Sequence, residues 1–200
     1  NTSLLSEFDV RMTKDGVLVI NHDEHHGKME ISETDFKELE TLKLSNGENF
    51  PTLKEYLKQG KKDKSVKLIV EIKPDKTKEK EDELTAKTIK MIKEMKLESQ
   101  CEFISFSLNI CKEIKKLAPT FKVQYLRGEL SPEQVKAEGL DGLDYHYSVF
   151  LKNPTWIAEA KNLGLVTNVW TVNDEAVFKQ LSEMGVDFVT TNIPDVLSKK

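Results

Sequence analysis

From Val66 onwards, short apolar runs alternate with stretches of helical period, and this alternation limits the architectures open to the chain. Val66, Leu68, Ile69, Val70 and Ile72 make a run apolar on both faces, closed by Pro74, as expected of a strand inside a parallel sheet. Further strands are predicted at 101–106, 121–126, 140–145, 166–171 and 186–190, with helices at 108–117, 132–138, 154–163 and 174–184. Such an order implies βαβ units. Upstream, 6–12 and 17–21 read as extended arms around Lys14-Asp15-Gly16, where Asp-Gly signals a tight turn. The pattern predicts a helix over 32–42 and another through 59, opening at Pro51-Thr52 with Thr52 as cap and Glu55 three residues later. The charged run 75–82 reads as a surface loop. The helix after it, reaching 97, carries an apolar stripe of Leu84, Thr88, Met91, Ile92 and Met95.

The parallel candidates, centred on Phe8, Ile69, Phe103, Val123, Leu143, Val169 and Phe188, number seven, one short of a closed (β/α)8 barrel. An open doubly wound sheet would accept that count, but the Gly-rich phosphate turn expected after an early strand does not occur. The expected fold is therefore α/β, a TIM-like (β/α)8 barrel whose first strand and helix lie outside this chain. Its 200 residues suit a single domain over 1–200.

Lys plus Arg total 30 against 34 Asp plus Glu, a net charge of −4, which argues against nucleic acid held mainly by charge. It leaves room for a local cationic phosphate site. No apolar run approaches the roughly 18 residues of a membrane span, and the mean hydropathy is −0.48. Cys101 and Cys111 match no metal-ligand spacing and are expected to be ordinary thiols.

In a β/α barrel the reactive side chains stand at the C-terminal strand ends. Glu7 and Asp9, two apart on one predicted strand, share a face, as do Glu71 and Lys73 on the next. Carboxylates gathered with a lysine at one mouth would be hard oxygen ligands suited to Mg²⁺ or Ca²⁺. Each pair alone is more often a solvent-facing pair, although the apolar neighbours of Glu71 and Lys73 make exposure uncomfortable. His22 follows the hairpin beside Asp23, and His25 and His26 read as surface residues.

Together these residues are more specific. Glu7-Phe8-Asp9-Val10, Thr13-Lys14-Asp15-Gly16 and His22-Asp23 strongly resemble the signature of the glycerophosphodiester phosphodiesterase family. Pro51 to Glu55, Glu71-Ile72-Lys73, Trp170 to Asn173 and Gly185 to Pro194 continue the likeness in order through nearly the whole chain. The resemblance implies a barrel that hydrolyses glycerophosphodiesters to an alcohol and glycerol 3-phosphate with one divalent cation, Mg²⁺ or Ca²⁺. It implies Glu7, Asp9 and Glu71 as metal ligands and His22 as one of two catalytic histidines. Lys73 would stabilise phosphoryl charge, and Trp170 would line the pocket against the glycerol carbons. Phe106 and Tyr145 read either as apolar walls or as core. Attack by a glycerol hydroxyl through a cyclic phosphate and direct attack by water both stay open, as does the head group.

The family's His-Arg-Gly element, which carries its other catalytic histidine, does not occur in this sequence. Asn1-Thr2-Ser3 resembles a segment that follows His-Arg-Gly, and only Leu4, Leu5 and Ser6 stand where a helix is expected before Glu7. The expectation is that residues before Asn1 and around Leu4–Leu5 belong to the full protein. Asn192 stands where the family usually has Asp. Two other readings remain: a catalytically silent barrel that binds a phosphodiester, and a related barrel phospholipase. The non-Met start and the family's habits point to a periplasmic or secreted protein, with the cytoplasm left open.

Overall fold

The computed structural model describes residues 4–42, 44 and 46–192. Asn1, Thr2 and Ser3, and Ile193 and Pro194 of the C-terminal motif, lie outside the described residues. The strands of the main sheet are β1 (Leu5–Met12), β2 (Leu18–Ile20), β5 (Lys67–Ile72), β6 (Cys101–Ser105), β7 (Val123–Tyr125), β8 (Gly142–His146), β9 (Val166–Trp170) and β10 (Phe188–Val189). Between the early ones, β3 (His25–His26) and β4 (Met29–Glu30) form a separate two-stranded ribbon. The sheet order is β10-β9-β8-β7-β6-β5-β1-β2, and every member except β2 runs parallel to its neighbours. β1 and β9 are separated by β8, β7, β6 and β5, yet Glu7 and Trp170 line one cavity, so the sheet curls round on itself. This is a TIM-like α/β fold. Among the described residues no pairing joins β10 to β1, and the cylinder is open along that seam.

The helices are α1 (Phe36–Glu40), α2 (Leu53–Gly60), α3 (Lys78–Glu94), α4 (Leu108–Leu117), α5 (Pro132–Ala137), α6 (Tyr147–Lys152), α7 (Trp156–Asn162) and α8 (Glu175–Glu183). Polar side chains start several of them. The side chains of Thr52, Thr77, Ser107 and Asp174 each accept from a backbone N–H one turn on, and Ser131 and Gln134 cap reciprocally ahead of α5. Along β1 the period of two divides the faces. Phe8, Val10 and Met12 are buried, while Glu7, Asp9 and Arg11 point to the opposite side. The buried set joins Leu68, Val70, Phe103, Val123, Leu143 and Val169 in the main core, which the helices cover. Each such side chain contributes about 1.5–3 kcal/mol on burial. A second cluster of Val19, Ile31, Leu39 and Phe50 lies under the β1–β2 hairpin.

Three expectations are corrected. The helix over 32–42 is broken into a 3₁₀ turn, Ile31–Glu33, and the short α1, because Thr34 is extended and its carbonyl accepts from Lys14 N of the hairpin. The run 75–82 is a loop only to Thr77, which caps α3. Glu81 within it is buried and accepts from Ser107 Oγ and Asn109 Nδ2. Helix 154–163 is shortened to α7, and the unexpected α6 precedes it, opened by His146 Nδ1 accepting from Ser148 N. Cys101 and Cys111 are buried free thiols, as expected. No helix among the described residues is long and apolar enough to cross a membrane.

Candidate active site

The inner face of β1 and β5 brings the acidic side chains together through strand register. Asp9 pairs with Glu71 across the parallel ladder, and Glu7 lies two residues below Asp9 on the same face. One carboxylate oxygen from each of Glu7, Asp9 and Glu71 falls within 4.8 Å of the others. Lys73, just past β5, reaches back into this group, its Nζ 2.5 Å from Glu71 Oε2 and 3.7 Å from Asp9 Oδ1. Both Glu71 and Lys73 are buried.

His22 enters from the hairpin. Asn21 N donates to the Asp9 carbonyl, and Arg11 Nη2 donates to the His22 carbonyl at 2.8 Å, so the backbone around His22 is tied to β1. Its ring is largely exposed, with Nδ1 2.9 Å from Asp23 Oδ1. That contact suits a tautomer with the proton on Nδ1 and Nε2 open. Trp170 closes the far side at the end of β9. Its Nε1 donates to the Asp144 carbonyl at 2.9 Å, and Phe106 packs edge-on at 6.0 Å between centroids.

These groups share one cavity of about 290 Å³, lined by Glu7, Asp9, His22, Glu71, Lys73 and Trp170, every site residue expected from the sequence. Phe106, Ile104, Leu126, Asp144, Thr171 and Thr190 complete the wall. Phe106 therefore faces the cavity, whereas Tyr145 is fully buried and packs against Phe150.

The electrostatics are those of acids crowded together. Burial pushes Glu71 up to about 7, against the pull of Lys73 and with help from Asp9. Glu7, although exposed, is also raised, by partial loss of water and then the charge of Asp9, opposed by Lys73 and His22. Asp144 is likewise pushed up to about 7, by burial first and then by Glu7 and Glu71. Glu7 and Glu71, both held above the ordinary carboxylate range, converge with Asp9 in a group that matches a hard divalent cation, whose charge would favour their ionised forms. Calcium–oxygen bonds of about 2.4 Å span about 4.8 Å between opposite ligands, and the smaller Mg²⁺ would draw the oxygens closer.

Residues 5–196 match the family model described as the glycerophosphoryl diester phosphodiesterase family. The chain belongs to that family. It is an enzyme of that phosphodiesterase class. A glycerophosphodiester phosphodiesterase from Caldanaerobacter subterraneus subsp. tengcongensis is 30% identical over 210 aligned positions, covering 96% of this chain and 83% of the relative. The crystal structure of a glycerophosphodiester phosphodiesterase from Parabacteroides distasonis is 44% identical with a TM-score of 0.93, covering 97% of this chain and 82% of that one. An Oleispira antarctica phosphodiesterase, solved in complex with the product sn-glycerol-3-phosphate, shares the fold at 24% identity and a TM-score of 0.81, with coverage of 98% and 84%.

Two polar residues escaped sequence reasoning: Asp144, which lines the cavity of this phosphodiesterase-family site, and Arg11, which lies outside that lining and holds the His22 carbonyl. Arg11 repeats the Glu7–Asp9 alternation once more and could have been found by it. Asp144 could not, because Gly142, Leu143, Asp144 and Tyr145 are all buried and show no alternation. At Asn192, the departure from the family pattern, the contact is made by the main chain, whose N donates to Asn173 Oδ1 at 2.9 Å.

Proposed function

We propose that this chain carries out metal-dependent hydrolysis of glycerophosphodiesters to an alcohol and glycerol 3-phosphate. The observation that carries this reading is the convergence of Glu7, Asp9 and Glu71 beside Lys73 and His22 in one cavity. The three carboxylates would hold one divalent cation, Mg²⁺ or Ca²⁺. A bound cation would offset the negative charge that builds on the phosphoryl oxygens. Lys73, which lies among the acids, would turn its ammonium toward the same oxygens. His22, oriented by Asp23, takes a proton from the attacking oxygen or returns one to the leaving oxygen through Nε2. Trp170, held by its indole hydrogen bond, presents an apolar face to the glycerol carbons.

A second reading rests on the histidines. Of the four in the chain, His22 alone lines the cavity among the described residues; His146 instead lies edge-on against Trp170 and contacts Ser148 Oγ. A barrel that binds a phosphodiester without turning it over would fit one such group. Incubating the protein with glycerophosphocholine and Mg²⁺ or Ca²⁺, with glycerol 3-phosphate as the measured product, separates the two. Hydrolysis is expected, and EDTA should abolish it. Saturable binding with no product would replace the hydrolase with the silent barrel, and turnover indifferent to EDTA would remove the metal.

A further inference from the structure

Asp144, on β8, lines the same cavity as Lys73 and is only 6% exposed. Its Oδ1 is fully buried and has no hydrogen-bond partner among the described residues. The indole N–H beside it is spent on its main-chain oxygen, not its carboxylate. Nor is it part of the converging acidic group on β1 and β5. A buried carboxylate left without a partner is costly and rare, and where one lines a ligand cavity the missing partner is naturally a group on the ligand.

The chemistry of that group is constrained. Phosphoryl oxygens are acceptors and negatively charged, so they belong with Lys73 and would be repelled by Asp144. The carboxylate needs a donor, and the donor must lie next to the apolar face of Trp170. The glycerol moiety of a glycerophosphodiester meets both needs, with two hydroxyls on a short carbon chain. We propose that Asp144 is a specificity-determining residue that accepts hydrogen bonds from the glycerol hydroxyls and so selects diol-bearing phosphate esters over plain alkyl ones. The inference rests on the hydrolase reading for the identity of its ligand. A site built to pair with a substrate hydroxyl rejects analogues lacking it, because the protein group is then left buried and alone.

Calorimetric titration with glycerol 3-phosphate and with n-propyl phosphate, which lacks both hydroxyls, tests this directly. The wild-type protein should bind the glycerol ester at least about tenfold more tightly. Asp144→Leu, which keeps the branched shape and lacks both oxygens, should bring the two affinities within about threefold, while Asp144→Asn, which keeps one acceptor, should retain part of the preference. An undiminished preference in Asp144→Leu would overturn the assignment, as would a wild-type protein that binds both esters equally. If Asp144→Leu does not fold, a wild-type crystal soaked with glycerol 3-phosphate decides: a hydroxyl within hydrogen-bond distance of Asp144 supports the role, and hydroxyls directed elsewhere end it. Failure of the hydrolase reading looks different, since glycerophosphocholine would then go unhydrolysed while the diol preference persisted.

Discussion

Lys73 and His22 stand on opposite sides of the division between residues that hold the site together and residues that act in it. Lys73 is buried beside Glu71 and Asp9, so removing Lys73 would leave two acids without their cation at a cost of about 3–5 kcal/mol. Loss of activity in such a variant would mix chemistry with stability. His22 has no such burden. Its ring is about three-quarters exposed and, among the described residues, its side-chain hydrogen bond is to the exposed Asp23. His22→Ala should leave the urea midpoint nearly unchanged, within about 0.5 kcal/mol of stability, and lower kcat by about 10²–10⁴. Steady-state turnover of glycerophosphocholine alongside a denaturation curve makes the comparison. Near-normal kcat would take His22 out of proton transfer. The alternation of Glu7, Asp9, Glu71 and Lys73 with apolar neighbours made their shared face legible in the sequence. Asp144 was illegible because which of Asp141 and Asp144 turns inward depends on how β8 meets its neighbours.

At the scale of elements, local chemistry was readable and tertiary pairing was not. Thr52 with Glu55 marked the start of α2 from three residues of sequence, and the hydrogen bond is there. The seven parallel candidates likewise each correspond to a strand in the curled sheet. The helix over 32–42 failed because its break comes from another element. Gly16, at φ +83°, lets the β1–β2 turn close, and Asp15 of that turn accepts from Thr13 Oγ1 at 2.6 Å and from Phe36 N at 2.9 Å. One carboxylate thus ties the hairpin to the first turn of α1. Asp15→Ala should cost about 0.5–2 kcal/mol, in the range of a lost helix cap. It should also raise hydrogen exchange at the Phe36 amide. A denaturation midpoint and Phe36 protection both equal to wild type would show that the tie has no energetic role.

Across the whole molecule, the fold carries acids that it is reluctant to ionise, and its stability should report this. Glu71 and Asp144 are each pushed up to about 7, chiefly by burial. A carboxyl whose pKa is raised on folding keeps its proton longer in the folded state than in the unfolded one. Stability therefore falls as pH rises from the ordinary carboxylate range toward about 7, by up to about 1.4 kcal/mol per pH unit for each titrating group. The surface carboxyls Asp15, Asp63 and Asp82 act in the opposite sense, being held low by hydrogen bonds, and their effect is confined to acid pH. In EDTA, thermal or urea unfolding should thus show stability declining between about pH 5 and pH 7. Mg²⁺ or Ca²⁺ should reverse the trend, because a cation at Glu7, Asp9 and Glu71 competes with the protons and binds the ionised, folded site. At a concentration of about one hundred times its Kd the cation adds about 2.7 kcal/mol, and that increment should be larger at pH 7 than at pH 5. An increment that is the same at both values, or absent, would mean that the three carboxylates do not share an ion, whatever the source of any turnover.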